Sequence, residues 1–212
     1  MKLLLVGATG LVGSHVLALA LADDRVSSVV APVRHALHQH PKLLAPIINY
    51  EVLPEDAEWW QADAVICTLG TTIRKAGSQQ AFRRVDYGYP LAIAQLALRY
   101  GTTTYVLNSA MGANATSRIF YSRTKGELEE VLKQQKFRSL TLVQPGMIDG
   151  NRQEFRLSER ILVSGLKLFA PLLPKCWHVN PAEKVAQILL EAAVDSSVGV
   201  QVITSESLIV DK

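Results

Sequence analysis

A run of glycines at the end of a short apolar segment constrains this chain more than any other feature. Residues 2–6 are mostly apolar, and the segment from Gly7 to Gly13 then reads GATGLVG, with its three glycines spaced as GxxGxxG. A helical pattern of apolar residues begins at Leu11. The sequence therefore predicts a strand, a tight glycine turn and a helix.

A turn of this kind is suited to binding a phosphate group. Glycine permits the tight reversal, lets the backbone approach a pyrophosphate, and allows close packing of helix on strand. The free amides and the dipole at the helix N-terminus then attract anionic oxygens. Glycine turns also occur in α/β domains that bind no nucleotide, so that alternative stays open here.

The rest of the chain alternates apolar runs with helical patterns. Near-continuous apolar runs, typical of strands buried on both faces, occur at 26–33, 46–53, 64–68, 104–108 and 140–144. Helical patterns occur at 54–61, 78–99, 121–135, 158–169 and 182–194, before a last strand at 198–204. Crossovers through helices make successive strands parallel, so we expect an α/β fold with a doubly wound parallel sheet.

No linker or repeat divides the chain, so one domain over residues 1–212 is expected. Residues from about 150 onward are expected to form a small cap on the substrate side. Arginines at the mouth of this cap are candidates for attracting an acidic substrate, with solvated surface charge as the alternative: Arg152, Arg156 and Arg160.

Composition and charge exclude several classes of function. The 212 residues are 49% hydrophobic and 19% charged, which is typical of a folded domain. The net charge is +3, but the lysines and arginines are scattered along the sequence and form no run. No nucleic-acid partner is therefore expected. Polar residues interrupt the apolar N-terminus, and no stretch reaches the ~20 apolar residues of a membrane span. We therefore expect a cytoplasmic protein without a membrane partner.

No metal site is expected. His35, His38 and His40 lie on a predicted loop without a defined metal-binding geometry. Cys67 and Cys176 are far apart and match neither a zinc spacing nor a CxxC pair, which favours a reducing compartment.

The end of the second predicted strand indicates which dinucleotide the turn would bind. Proteins that use NAD carry an acidic residue here, which accepts a hydrogen bond from the ribose 2′-hydroxyl. This strand ends instead at Arg34, whose guanidinium can bind a 2′-phosphate through two hydrogen bonds. NADP(H) is therefore favoured over NAD(H), with a solvated surface arginine as the alternative.

A tyrosine, a lysine and a serine form the candidate catalytic group. Tyr121 and Lys125 are four residues apart, which places them on one face of a helix. The ammonium and the helix dipole both favour phenolate, so we expect a lowered pKa for Tyr121 and a residue able to exchange a proton with a carbonyl or alcohol. Ser109 ends a predicted strand, where its hydroxyl can orient a carbonyl oxygen. The alternative is that these residues have no catalytic role. Tyr121 would then be a half-buried helix aromatic, Lys125 a solvated surface residue and Ser109 a turn residue.

Together these residues resemble the atypical and extended short-chain dehydrogenases/reductases. Five further stretches are similar to the HIV Tat-interactive oxidoreductase-like family, including its bacterial members: CTLGTT at 67–72, KAG at 75–77, FRRVD at 82–86, KGE at 125–127 and QPG at 144–146. The resemblance covers nearly the whole chain and implies a Rossmann-type NAD(P)-binding fold.

The resemblance also implies roles for individual residues. NADPH would be held by the glycine turn and the second strand, through Gly7, Thr9, Gly10, Leu11, Val12, Gly13 and Arg34. The cofactor cleft would be lined by Leu69, Gly70, Pro145, Gly146 and Met147, with Tyr121, Lys125 and Ser109 at its reacting end. Two positions depart from the pattern: Asp86 stands where many reductases carry asparagine, and Ala110 where many have a second Ser or Thr.

The leading hypothesis is an NADPH-dependent oxidoreductase, a monomer or homodimer, that acts on an unknown small-molecule carbonyl or alcohol. One alternative is a non-catalytic NADP(H)-binding regulator. Another is a nucleotide-sugar epimerase or dehydratase, which shares the same residues but usually has a larger C-terminal substrate domain.

Overall fold

The computed structural model describes residues 1–149 and 179–208. Its strands are β1 (Lys2–Val6), β2 (Ser28–Val30), β3 (Leu43–Leu44), β4 (Ala64–Cys67), β5 (Thr104–Asn108), β6 (Ser139–Gln144), β7 (Ile148–Asp149), β8 (Asn180–Pro181) and β9 (Gly199–Thr204). Its α-helices are α1 (Leu11–Ala22), α2 (Ile73–Ala76), α3 (Gln79–Arg83), α4 (Tyr89–Arg99), α5 (Phe120–Lys133) and α6 (Ala182–Asp195).

Seven of these strands form one sheet in the order β3-β2-β1-β4-β5-β6-β9, and all neighbouring pairs are parallel. The chain runs outward from β1 to β3, then returns to the other side of β1 and continues through β4. Ligands of such sheets bind at the carboxyl ends of the strands beside this reversal. The predicted α/β fold, a doubly wound Rossmann-type sheet, is confirmed.

Alternate residues of β1 face two separate cores. Leu3 and Leu5 pack with α1 and α6 on one face, whereas Leu4 and Val6 pack with α4 and α5 on the other. All four side chains are fully buried. Burial on both faces explains why the central strands are continuously apolar in sequence.

The third strand is not where the sequence pattern placed it. The prediction was 46–53, but the strand is Leu43–Leu44, and Ile47 and Val52 are 65% and 74% exposed. Pro46 cannot donate to a strand ladder, and the side chain of Asn49 accepts from the amide of Glu51 in a turn. These two features break the apolar run into single bridges.

Other boundaries differ in detail from the prediction. The second strand is shorter than 26–33, and the helix expected at 54–61 is a single 3₁₀ turn over Glu58–Trp60. The long helix expected at 78–99 is three consecutive segments, α3, a π turn over Arg84–Gly88, and α4. The helix expected at 158–169, the three cap arginines and Cys176 lie outside the described residues.

A short parallel pair, β7 with β8, lies at the carboxyl end of the main sheet and was not predicted. The fully buried Asn180 of β8 anchors it. Its side-chain oxygen accepts from the Gly146 amide at 2.7 Å and from the Ser205 hydroxyl at 2.8 Å. Its side-chain nitrogen donates to the Ser205 carbonyl at 3.1 Å. Asn180 thereby fixes the loop that follows β6.

Replacing Asn180 with alanine should lower the free energy of unfolding by about 2–4 kcal/mol, because buried donors and acceptors lose their partners. Urea denaturation followed by circular dichroism measures the change. The matched control is Gln201→Ala at an exposed position of β9, which should change stability by less than about 0.5 kcal/mol. Equal effects of the two substitutions would contradict the anchoring role.

Candidate active site

The glycine turn connects β1 to α1 and leaves the N-terminus of the helix open. Gly7 has a φ of +90°, in the left-handed region, and its carbonyl accepts from the Gly10 amide at 2.9 Å. Gly10 is the N-cap of α1, and no side chain caps the helix there. The first turn of α1 carries no acidic residue. Its unpaired amides are therefore suited to an anionic ligand.

Two of the glycines are required by packing. A Cβ on Gly7 would lie 2.7 Å from the Thr68 hydroxyl oxygen, and one on Gly13 would lie 2.1 Å from the Gly7 carbonyl oxygen. A Cβ on the exposed Gly10 would meet only the Gly7 carbonyl oxygen, at 3.3 Å. Gly7 and Gly13 thus hold α1 against the sheet, whereas Gly10 leaves the space above the turn open.

The segment after β4 joins the glycine turn to the candidate catalytic group. The Thr68 hydroxyl lies 3.0 Å and 3.2 Å from the carbonyl oxygens of Val6 and Gly7, to which it donates. Two residues later, a Cβ on Gly70 would lie 3.4 Å from Asp86 Oδ1 and 3.8 Å from Lys125 Nζ. The backbone from Thr68 to Gly70 therefore runs from the phosphate-binding turn to the buried lysine.

Lys125 and Asp86 form a buried ion pair. Lys125 Nζ lies 2.7 Å from Asp86 Oδ1, and the two side chains are 5% and 1% exposed. The other carboxylate oxygen of Asp86 accepts from the Thr71 amide at 2.8 Å. Asp86 therefore binds the lysine directly, from the π turn that precedes α4.

The ion pair keeps Lys125 charged. Burial alone lowers the pKa of the ammonium, but the charge of Asp86, assisted by Tyr121 and a hydrogen bond to Asp86, outweighs burial and raises it. Burial raises the pKa of Asp86, against the opposing effects of Lys125 and the Thr71 amide.

Tyr121 lies one helical turn before Lys125 on α5 and packs against Phe82, with ring centroids 5.6 Å apart. Burial raises the pKa of its phenol, the Lys125 charge lowers it, and the Asp86 charge raises it, so that the net direction is upward. This is opposite to the lowered pKa expected from the Tyr121–Lys125 spacing. The expectation was wrong because it left out burial and the carboxylate that offsets the lysine.

Ser109 directs its hydroxyl into a network that the sequence did not suggest. The hydroxyl donates to a carboxylate oxygen of Glu129, and Gln144 Nε2 donates to both oxygens of that carboxylate at 2.9 and 3.0 Å. Ser109 and Glu129 are 5% and 4% exposed. A signal for Glu129 was available, since Tyr121, Lys125 and Glu129 recur every four residues along α5.

Helix α5 is held close to the loop that follows β5. A Cβ on Gly126 would lie 2.2 Å from backbone atoms of Asn114 and Ala115. This close approach fixes the position of the neighbouring Lys125 on the buried side of the helix.

The remaining predicted residues lie along the carboxyl edge of the sheet. Thr9 is exposed at the tip of the glycine turn, Leu11 is half-buried and Val12 is buried. Leu69 is half-buried beside the turn. In the loop after β6, the Pro145 carbonyl accepts from the Met111 amide at 2.8 Å, and Met147 is 37% exposed.

Arg34 lies apart from Tyr121 and Lys125. It is exposed after β2, and its charge opposes the upward shift that burial gives the pKa of Tyr50. Strands β1 and β4 separate β2 from β5 in the sheet. The structure thus places Arg34 at one end of the carboxyl edge and Ser109, Tyr121 and Lys125 towards the other.

In the part of the chain that the structure describes, no group of three or more His, Cys, Asp or Glu side chains could hold a metal ion. The same residues include no helix that is both long enough and apolar enough to cross a membrane.

Comparison with solved structures defines the class of fold. The chain superposes on MoeE5 in complex with UDP-glucose and NAD with a TM-score of 0.72, at 15% identity over 95% of this chain and 75% of that one. It superposes on the oxidoreductase ylbE from Lactococcus lactis with a TM-score of 0.68, at 18% identity over 98% and 95%. The fold is the Rossmann-type fold of short-chain dehydrogenase/reductase-like and epimerase-like proteins.

Comparison with curated sequences defines the family. No family model matches the chain. It is 31% identical over 207 residues to protein fmp52, mitochondrial, from Aspergillus niger, covering 92% of this chain and 86% of that protein. It is 33% identical over 164 residues to the Candida albicans FMP52, covering 73% and 70%. The chain belongs to the FMP52 family.

Two expectations are corrected by these relatives. They are FMP52 proteins, and not the Tat-interactive proteins that the motifs suggested. The expected cytoplasmic location is contradicted, because the relatives from several fungi are named as mitochondrial proteins.

Gly13→Ala should destabilise the protein by roughly 3 kcal/mol or more, because the added Cβ meets the Gly7 carbonyl and neither backbone can move freely. The direction of the stability change is informative, because replacing glycine with alanine in a helix interior normally stabilises the helix. Gly10→Ala is the matched control and should cost no more than about 1 kcal/mol. Thermal unfolding of both variants measures the difference, and a stabilised Gly13→Ala protein would contradict the close packing.

Proposed function

We propose that this chain is an NAD(P)(H)-dependent oxidoreductase that interconverts the carbonyl and alcohol forms of a small-molecule substrate. The observation that carries the proposal is the continuous backbone path from the glycine turn through Thr68 and Gly70 to the buried Lys125. One end of this path offers open amides for a diphosphate. The other end offers a tyrosine for proton transfer.

The residues present fit a dinucleotide. The N-terminus of α1 has no side-chain cap and no acidic group, and Gly10 leaves open the space that a phosphate would occupy. When bound, the nicotinamide would supply or accept the hydride. Leu69, Gly70, Pro145, Gly146 and Met147 follow β4 and β6 at the carboxyl edge of the sheet and are proposed to line the cleft.

Arg34 supports a preference for NADP(H). Strands are spaced about 4.8 Å apart, so the carboxyl edge from β2 to β5 spans roughly 14 Å, over which an extended dinucleotide can lie. An adenosine 2′-phosphate at the β2 end would meet the exposed guanidinium of Arg34. MoeE5 and the Bordetella bronchiseptica enzyme WbmH, which are similar in fold, were solved with NAD, so the preference for NADP(H) rests on Arg34 alone.

Tyr121 is proposed to donate the proton. Its phenol is half-buried and its pKa is raised, so the O–H is retained at neutral pH and is ready to protonate a carbonyl oxygen as hydride arrives. Lys125 would hold the ribose next to the nicotinamide. Ser109 would orient the carbonyl oxygen, which requires its hydrogen to turn away from Glu129 when substrate binds.

A second candidate function is a non-catalytic NAD(P)(H)-binding regulator. The observation that favours it is the Ser109 hydroxyl, which is already satisfied by a buried carboxylate. Tight NADPH binding without turnover of any carbonyl or alcohol would support this candidate.

The nucleotide-sugar alternative is favoured by the likeness to MoeE5, solved with UDP-glucose, and would be supported by epimerisation or dehydration of UDP-sugars.

Tyr121→Phe should reduce carbonyl-dependent NADPH oxidation by about 10²–10⁴-fold, because the proton donor is lost while the ring is kept. Absorbance at the reduced-nicotinamide band over a panel of aldehydes and ketones measures the rate. Tyr100→Phe, whose hydroxyl donates to the Glu55 carbonyl, is the control and should retain parent activity. An active Tyr121→Phe enzyme would refute the assignment.

Arg34→Ala should weaken NADPH binding by about 10- to 100-fold and leave NADH binding nearly unchanged, because only NADPH carries the 2′-phosphate. Isothermal titration calorimetry with each dinucleotide measures both constants. The exposed Arg138, which immediately precedes β6 and so lies away from the carboxyl ends of the strands, provides the control variant Arg138→Ala. An equal loss of affinity for NADH would show that Arg34 does not bind the 2′-phosphate of NADPH.

A further inference from the structure

The carboxylate of Asp86 reaches the candidate catalytic group from outside the Tyr-Lys helix. The π turn over Arg84–Gly88 carries Asp86 between α3 and α4, and its side chain is 1% exposed. One oxygen is held by the Thr71 amide and the other lies 2.7 Å from Lys125 Nζ. These two contacts fix the carboxylate on both sides.

The pair lies behind the backbone of Gly70, where the cofactor cleft is proposed. A Cβ on Gly70 would lie 3.4 Å from Asp86 Oδ1 and 3.8 Å from Lys125 Nζ, so the backbone here lies within van der Waals distance of both charged groups. Asp86 contacts the lysine directly, and the charges of both residues act on the pKa of Tyr121 in opposite directions.

Among residues 1–149 and 179–208, few other titratable groups face this pair. On β4, the buried Cys67 thiol interacts electrostatically with Lys125 and with Asp86. On α5, Tyr121 interacts with both, and Glu129 is buried one turn beyond Lys125. The nearest charge on α3, Arg83, is paired with Glu127 at the surface. Asp86 is therefore the main opposing charge for Lys125.

We propose that Asp86 is a positioning residue that neutralises Lys125, keeps Tyr121 as a neutral phenol, and thereby adapts the site to donating a proton to a carbonyl. This inference rests on the proposed oxidoreductase function. An uncompensated ammonium one helical turn away would instead favour the phenolate, which accepts a proton from an alcohol. Exchanging the carboxylate for an amide of the same shape separates the two situations.

The direct test is the ionisation of Tyr121 in the ligand-free protein. Tyrosinate absorbance is titrated in the parent and in Asp86→Asn, each corrected by subtracting the same protein with Tyr121→Phe. Loss of the carboxylate should lower the pKa of Tyr121 by at least about one unit. An unchanged or raised pKa in Asp86→Asn overturns the inference.

Two further variants separate the charge from general structural effects. Glu127→Gln removes a carboxylate from the same helix at the surface and should leave the Tyr121 titration unchanged. Asp86→Asn combined with Lys125→Met removes both charges and should restore a raised pKa. If the double variant titrates like Asp86→Asn alone, the lowered pKa of Tyr121 does not come from an uncompensated Lys125 ammonium and the proposal is wrong.

The second readout is the pH dependence of turnover. A phenol is the acid form, so carbonyl reduction is present below the pKa of Tyr121 and is lost as pH rises through it. Asp86→Asn should therefore lose carbonyl reduction at a lower pH than the parent, by about one unit or more, and should gain in alcohol oxidation relative to reduction. Identical pH profiles despite a shifted titration would overturn the link to proton donation. A shifted titration without turnover in either protein would leave the Asp86 effect on Tyr121 standing and would refute the oxidoreductase function.

Discussion

The contact between the first strand, the first helix and Thr68 allows no additional atom. Gly13 lies so close to the Gly7 carbonyl that a methyl group could not be accommodated, and the Thr68 hydroxyl donates to the same carbonyl. Because of this contact, the helix points its open end along the carboxyl edge of the sheet. The loop after β4 is brought against the turn in the same way. This packing places the open end of α1 and the loop after β4 next to each other at the carboxyl edge of the sheet.

The site combines an exposed end and a buried end with different physical demands. At the glycine turn, backbone amides and water-exposed positions suit a charged ligand. At the other end, Lys125, Asp86 and Glu129 are all buried, and each is paired or hydrogen-bonded. Unpaired charges at these positions would cost several kcal/mol each. Their pairing sets the charges that surround Tyr121 and the hydrogen-bond acceptor that Ser109 contacts.

The sequence was informative where one local pattern decides the structure. The bounds of β1 and β5 were predicted to the residue, because strands buried on both faces are continuously apolar. The run at 46–53 is equally apolar but contains Pro46 and a turn at Asn49, and the strand formed at Leu43–Leu44 instead. In the site, the pKa direction of Tyr121 depends on Asp86, which lies thirty-five residues away in the chain (121 − 86) and becomes its neighbour only in the fold. No spacing rule along α5 contains that information.

The short parallel pair of β7 with β8 has a consequence for how this scaffold can diversify. Ile148 pairs with Asn180 and Asp149 with Pro181, so the chain enters and leaves the stretch between them at the same place. Asn180 and Ser205 hold both ends to the sheet. Because both ends are held beside the sheet by these contacts, a change of length or sequence between Asp149 and Asn180 need not move the seven-stranded sheet or the glycine turn.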